Sequence, residues 1–171
     1  MSRLLTPKPL TQEAFAPFGD VIEANLSRNH FTINQGHTER FHDLAQLDMG
    51  EGKTILSLFR SRPMTLTEDR HLAIKLLERH PLGTQAFVPT GSHPYLVVVA
   101  PKGDLDEEAI EVFLAQSNQG VNYHQGTWHH FCLALNDVSY FLVADRDGPG
   151  HNCDELELTT PCFIDLSLLD L

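Results

Sequence analysis

The hydrophobic and polar positions of this chain fall mostly into short alternating runs, the pattern of strands half-buried against a core. Thr11 stands where it can cap a short helix through Gln12, Glu13, Ala14 and Phe15, closed by Pro17 and Gly19. Residues 20–23 then predict a first strand, residues 24–30 a polar loop, and residues 31–34 an alternating strand ending in the turn signal Asn34-Gln35-Gly36. Residues 41–44 fit neither template. Residues 54–59 predict a clear strand broken by Pro63, and residues 72–77 alternate into Glu78. Residues 87–89 end at Gly91, and the β-branched, aromatic run 95–100 predicts a buried strand. Short strands follow at 121–123, 131–135, 139–144 and 155–158, with a loop over 145–154.

One segment carries a helical signature. Residues 104–117 place Asp106, Glu107 and Glu108 in a first turn, Ile110, Phe113 and Leu114 on an apolar stripe, and Gly120 beyond as a stop. The chain as a whole therefore predicts a mainly β fold, a β-barrel or sandwich with a few short flanking helices. No repeat, low-complexity run or linker interrupts it. Residues 1–171 predict a single domain, long enough to bury a core of its own.

Composition narrows the partners. At 42% hydrophobic and 20% charged, the chain is of ordinary soluble globular type. A formal net charge of −11, with no basic patch, argues against nucleic acid or an anionic membrane. A small anionic substrate would need its own local Arg or His cluster. Cys132, Cys153 and Cys162 are an odd set without Cys-x-x-Cys spacing, which predicts reduced thiols in a cytoplasm rather than a disulfide framework or thiolate zinc. Residues 1–7 lack a signal-peptide core, and the longest apolar run, 95–101, is too short to cross a bilayer as a helix.

Two polar clusters stand out against this background. The first is Glu78-Arg79-His80-Pro81-Leu82-Gly83-Thr84-Gln85-Ala86-Phe87. In an extended segment Glu78 and His80 point the same way, and a bulge after the Pro-Leu-Gly turn would bring Gln85 to that face. A carboxylate, an imidazole and an amide on one face are either a polar site or a costly burial. The second cluster is Asn122-Tyr123-His124-Gln125-Gly126-Thr127-Trp128-His129-His130. Its imidazoles suit metal ligation or proton transfer near neutral pH, and with the first cluster they allow a mixed nitrogen and oxygen site for a divalent transition metal. Taken alone, His129 and His130 are explained equally well as neighbours straddling a strand, one buried and one solvated.

The two clusters resemble the paired metal motifs of the cupin family. Glu78 and His80 stand where that family has two His residues, and Gln85 where it has a Glu. The second motif keeps Gly126 and His129, with His124 in place of a Pro. A longer likeness covers nearly the whole chain. Residues 78–87, residues 120–130, the segment from Ile33 through Leu44, and Asp145-Arg146 with Asn152-Cys153-Asp154 together resemble the ureidoglycolate lyase family of allantoin degradation, once called ureidoglycolate hydrolase.

That resemblance implies a cupin-like, homodimeric enzyme with nickel as its divalent metal, cleaving (S)-ureidoglycolate to glyoxylate and urea by C–N elimination. The cupin overlay gives Glu78, His80, Gln85 and His129 as metal ligands, and His124, an imidazole beside that shell, is the leading candidate for the general base. Arg60 or Arg40 would clamp the substrate carboxylate, Asn34 would read the urea amide, and Trp128 would wall the pocket. Each has a plainer rival. Arg60 suits a surface charge at a strand end, Asn34 a turn former, Trp128 a core residue, and the adjacent Asp145 and Arg146 a structural pair. His30, His37, His71, His93 and His151 lie outside the matched motifs. An amidohydrolase releasing ammonia and carbon dioxide from the same substrate, or a non-catalytic glyoxylate-binding sensor, are the alternative functions.

Overall fold

A computed structural model describes residues 3–170. The reading of residues 1–7 therefore falls partly on Met1 and Ser2, which lie outside the described residues. In chain order the first strands are β1 (Arg3–Leu5), β2 (Lys8–Pro9), β3 (Gly19–Ile22), β4 (His30–Ile33) and β5 (Thr38–Phe41). Next come β6 (Lys53–Ser61), β7 (His71–Arg79), β8 (Gln85–Pro89), β9 (Tyr95–Ala100) and β10 (Glu111–Ala115). The last are β11 (Gly120–Tyr123), β12 (Trp128–His129), β13 (Leu133–Ala134), β14 (Ser139–Asp147) and β15 (Asp154–Asp165). The chain is mainly β, and the described residues contain one short helix, α1 (Gln12–Phe15), and two 3-10 turns. Thr11 caps α1 as its residue type dictates, accepting from the Ala14 amide.

One sheet runs β1-β15-β7-β12-β9-β10-β2, with β13 also paired to β9, and a second runs β3-β11-β8-β14-β6. The β4–β5 hairpin forms a separate two-stranded sheet. Strand β9 is buried on both faces of the first sheet, which explains its uninterrupted apolar run. Tyr95, Val97 and Val99 join Phe87, Val121, Tyr123, Phe141 and Val143 of the second sheet in one core. Leu96, Val98 and Ala100 join Leu72, Ile74, Leu77, Trp128 and Ile164 in another, on the far side. This curled, two-sheet arrangement is cupin-like. No helix among the described residues is long and apolar enough to cross a membrane.

The predicted helix over 104–117 is corrected. Its acidic start forms only a 3-10 turn, Glu107–Ala109, in which Asp106 accepts from the Glu108 amide. The apolar stripe is instead strand β10, paired antiparallel with β9. Val112 and Phe113, adjacent in sequence, are both buried, one in each core, which a single helical stripe would not do. An i, i+3 spacing fits a strand as well as a helix when both strand faces are covered, and the apolar edge of β9 decided between them. Gly120 is no helix stop: it lies in β11, where a Cβ would stand 2.6 Å from the Phe87 carbonyl oxygen. The loop expected over 145–154 begins later than predicted, since β14 runs through Asp147.

Candidate active site

Two rows of side chains meet between the sheets. From the first sheet, His129 on β12 and Glu155 on β15 are the register partners of Glu78 on the intervening β7. Side chains directly across a ladder share a face, so all three point the same way. Glu78 reaches this face because the alternation of β7 slips: Ile74 and Leu77, three residues apart, enter the same core, opposite a register shift in β15. From the second sheet, Tyr123 on β11 partners Gln85 on β8. Val143 on β14 partners Phe87, and two residues further along each strand stand Asp145 and Gln85.

The turn after β7 carries the chain from one sheet to the other. Gln85 thus reaches His80 from the opposite sheet and not, as the sequence suggests, through a bulge on a shared strand. The Gln85 amide lies 3.2 Å from His80 Nε2, and the Tyr123 ring stacks on that of His129 with centroids 4.2 Å apart. Ligand atoms of Glu78, His80 and His129 lie within 4.8 Å of one another. Cys153 lies against this group, its Sγ 3.9 Å from Glu78 Oε2.

Protonation in this interior follows from burial. Desolvation pushes His129 down to about 3, with His80 nearby adding to the effect. Desolvation likewise pushes His130 down to about 4. Glu78 is raised above its usual range, first by burial and then by Glu155, against an opposing pull from His80. The site thus sets a neutral, desolvated His129 beside a carboxyl that holds its proton more tightly than usual.

The donor set suits a divalent cation. His80 Nδ1 donates to the Asn152 carbonyl at 2.7 Å, which leaves Nε2 as its lone pair. In the neutral ring that lone pair faces the Gln85 oxygen, an arrangement relieved by a turned amide, by a proton on Nε2 or by a cation bound to both. His129 Nδ1 lies 3.2 Å from the His130 carbonyl, and its Nε2 is buried with no hydrogen-bond partner. Buried, unspent imidazole nitrogen beside carboxylate and amide oxygen is a borderline nitrogen and oxygen set of the kind that divalent first-row metals favour. Glu78, His80 and His129 therefore form a group able to hold such an ion.

The other expected site residues are dispersed. His124 is exposed, its Nε2 3.3 Å from Asp20 Oδ1. Arg60 lies exposed on β6, over the Tyr140 ring at 5.9 Å, and Arg40 lies over Phe31 on the exposed hairpin at 5.9 Å. Asn34 shapes the tip of that hairpin with a positive φ of 53° and donates to Thr38. Trp128 packs in the far core, on the face opposite His129, donating to the Gly103 carbonyl with Arg79 over its ring. Asp145 and Arg146 do not pair: Arg146 donates to the Met49 and Pro149 carbonyls. Asp145 instead lines a cavity of about 350 Å³ with His80, Gln85, Asn152 and Cys153.

Asp145, Asn152 and Cys153 are the residues that motif reasoning left without a role. All three stand in stretches of the family likeness, which is the signal that points to them.

Comparison with known proteins agrees with this geometry. The family model described as ureidoglycolate lyase matches residues 2–165. A ureidoglycolate lyase of Pseudomonas syringae pv. syringae is 54% identical over 158 residues, covering 90% of this chain and 89% of its own. One from Burkholderia mallei is 50% identical over 158 residues, 91% of this chain and 90% of its own. One from Stutzerimonas stutzeri is 49% identical over 160 residues, 92% and 91% of the two chains. A match of this length, across both rows of the interior site, means that the chain belongs to the ureidoglycolate lyase family.

Proposed function

We propose that this protein, as one cupin-like domain over residues 1–171, is a ureidoglycolate lyase that cleaves (S)-ureidoglycolate to glyoxylate and urea. The carrying observation is the meeting of Glu78, His80, Gln85 and His129 from two sheets, in a chain matched to that family over residues 2–165. In the reaction the hydroxyl loses its proton as its oxygen forms the carbonyl of glyoxylate. The C–N bond breaks with its electron pair on nitrogen, and that nitrogen takes a proton to become urea. No water is consumed.

His80, Gln85, His129 and one oxygen of Glu78 would hold a divalent cation, nickel in this reading. When bound it would supply Lewis acidity toward the hydroxyl and carboxylate oxygens. The other Glu78 oxygen takes the hydroxyl proton and returns it to the departing nitrogen, a role its place inside the converging group suits. His124 is the alternative base, and its place beside Asp20 on the surface weighs against it. Tyr123 holds the His129 ring flat and closes that side of the site to water.

The protein acts in allantoin degradation, in the cytoplasm and as a homodimer. The reduced state of Cys132, Cys153 and Cys162 suits that compartment. The homodimer is supported by an apolar outer face on β6 and β14, where Leu56 and Leu58 are 67% and 68% exposed beside Tyr140 at 46% and Leu142 at 38%.

Urea release by the purified protein, before and after chelation and with nickel or manganese restored, tests the reading. Urea equal to glyoxylate, lost on chelation and restored by the ion, is expected. Ammonia without urea sinks the lyase, and full activity without metal sinks the metal-assisted form.

A further inference from the structure

Asp145 lies on the inward face of β14, in line with the buried Phe141 and Val143 and across from Gln85. Its Oδ1 is buried and has no hydrogen-bond partner. The neighbouring cation offers no relief, because Arg146 turns to the Met49 and Pro149 carbonyls. Nor does Asp145 belong to the groups whose ligand atoms converge around Glu78 among the described residues. It lines the same cavity as His80, Gln85 and Cys153.

A buried acceptor without a donor is costly, and sites that keep one generally meet it with a donor from the ligand or from ordered water. An oxygen acceptor in this position repels the carboxylate of a 2-hydroxy acid and matches the N–H groups of a ureido end, whose donors outnumber the single hydroxyl. The ureido end of ureidoglycolate supplies three N–H bonds, urea four and glyoxylate none.

Resting on the lyase reading above, we propose that Asp145 is the specificity-determining acceptor for the ureido N–H groups, orienting the substrate with its carboxylate toward the Glu78–His80–His129 end. It selects ureidoglycolate over 2-hydroxy acids that lack N–H donors. A site built to hydrogen-bond a substrate N–H rejects analogues without it far more strongly than an apolar pocket does.

The test compares wild type, Asp145→Leu and Asp145→Asn by urea-release kinetics, by product inhibition with glyoxylate and with urea, and by bound-cation content. Asp145→Leu should raise KM for ureidoglycolate about 10- to 100-fold, the range of a hydrogen bond to a charged group. It should weaken inhibition by urea and leave glyoxylate inhibition and cation content unchanged. Asp145→Asn, which keeps one acceptor oxygen, should lie between. Unchanged KM, an equal loss of glyoxylate inhibition, or loss of the cation overturns the assignment. Should the leucine variant not fold, the asparagine variant decides, by a several-fold rise in KM or none. Wild-type protein that releases no urea overturns the parent reading, whereas active wild type with indifferent variants overturns this one alone.

Discussion

His80 donates from Nδ1 to the main-chain carbonyl of Asn152 at 2.7 Å, across an entire strand-and-loop excursion of the chain. The Asn152 side chain fixes that carbonyl in turn, its Oδ1 accepting from the Leu82 amide at 2.8 Å. The turn that carries the chain between the sheets and the ring that faces the site are thereby held by one residue. Asn152→Ala should free the loop and with it the orientation of His80. Partners of this kind typically govern cation affinity by about 10- to 100-fold. Calorimetric titration of the metal-free variant with nickel or manganese measures the loss, and wild-type affinity in the variant would contradict the role.

Glu78 and His124 separate cleanly as candidates for moving the proton. Glu78 lies inside with raised proton affinity, and His124 lies outside beside Asp20. Glu78→Gln should lower kcat for urea release by about 100-fold or more, the usual scale of general acid–base catalysis. His124→Ala should retain most of it. The reverse ranking would return the base to His124.

The buried histidines set the response of the metal-free protein to acid. His129 and His130 titrate near 6.5 when unfolded but are pushed down to about 3 and about 4 in the fold. Between those values the unfolded chain binds the extra protons, so their stabilising contribution is complete above 6.5 and is lost as pH falls. The slope should reach about 1.4 kcal/mol per pH unit for each histidine. Glu78 is raised and acts with the opposite sign, its contribution fading as pH rises through its folded value. Two histidines against one carboxyl leave net destabilisation on acidification. Urea unfolding in chelator from pH 7.5 to 4.5 checks this, and His130→Gln should flatten the curve.

Leu58 lies on the outer face of β14–β6, opposite Leu142 in the ladder. If a second copy covers this face, Leu58→Asp places a charge in an apolar interface and should produce monomers. Analytical ultracentrifugation distinguishes the forms. A wild-type monomer, or a charged variant that stays dimeric, removes this face as the contact.

Much of the strand layout was legible because β-branched and aromatic runs bounded by Gly, Pro and Asn leave little choice of conformation. The run 95–100 and the cap at Thr11 are as their residue types dictate. The segment 104–117 was not legible. Its apolar spacing satisfied both helix and strand, and only the waiting edge of β9 made it a strand. At the site, Glu78, His80, Gln85 and His129 carried a motif and do come together, whereas Arg40, Arg60 and Asn34 carried only plausible chemistry and stand on exposed elements. Asp145 looked like half of an ion pair. Which face of β14 it occupies decided otherwise.

The sequence by itself determined the family, the β class and the identity of the converging polar residues, because local pattern and long ordered likeness both survive without coordinates. Only the tertiary structure decided which of them face one another. Gln85 meets His80 from the opposite sheet, Trp128 turns its back on His129, and Asp145 and Arg146 line one cavity without pairing, the guanidinium being held by main-chain carbonyls. A strand sends neighbouring side chains to opposite faces, so a one-residue slip, such as the one in β7 before Glu78, reassigns every residue beyond it. Register and sheet packing settle that parity, and neither is written in any single stretch of the chain.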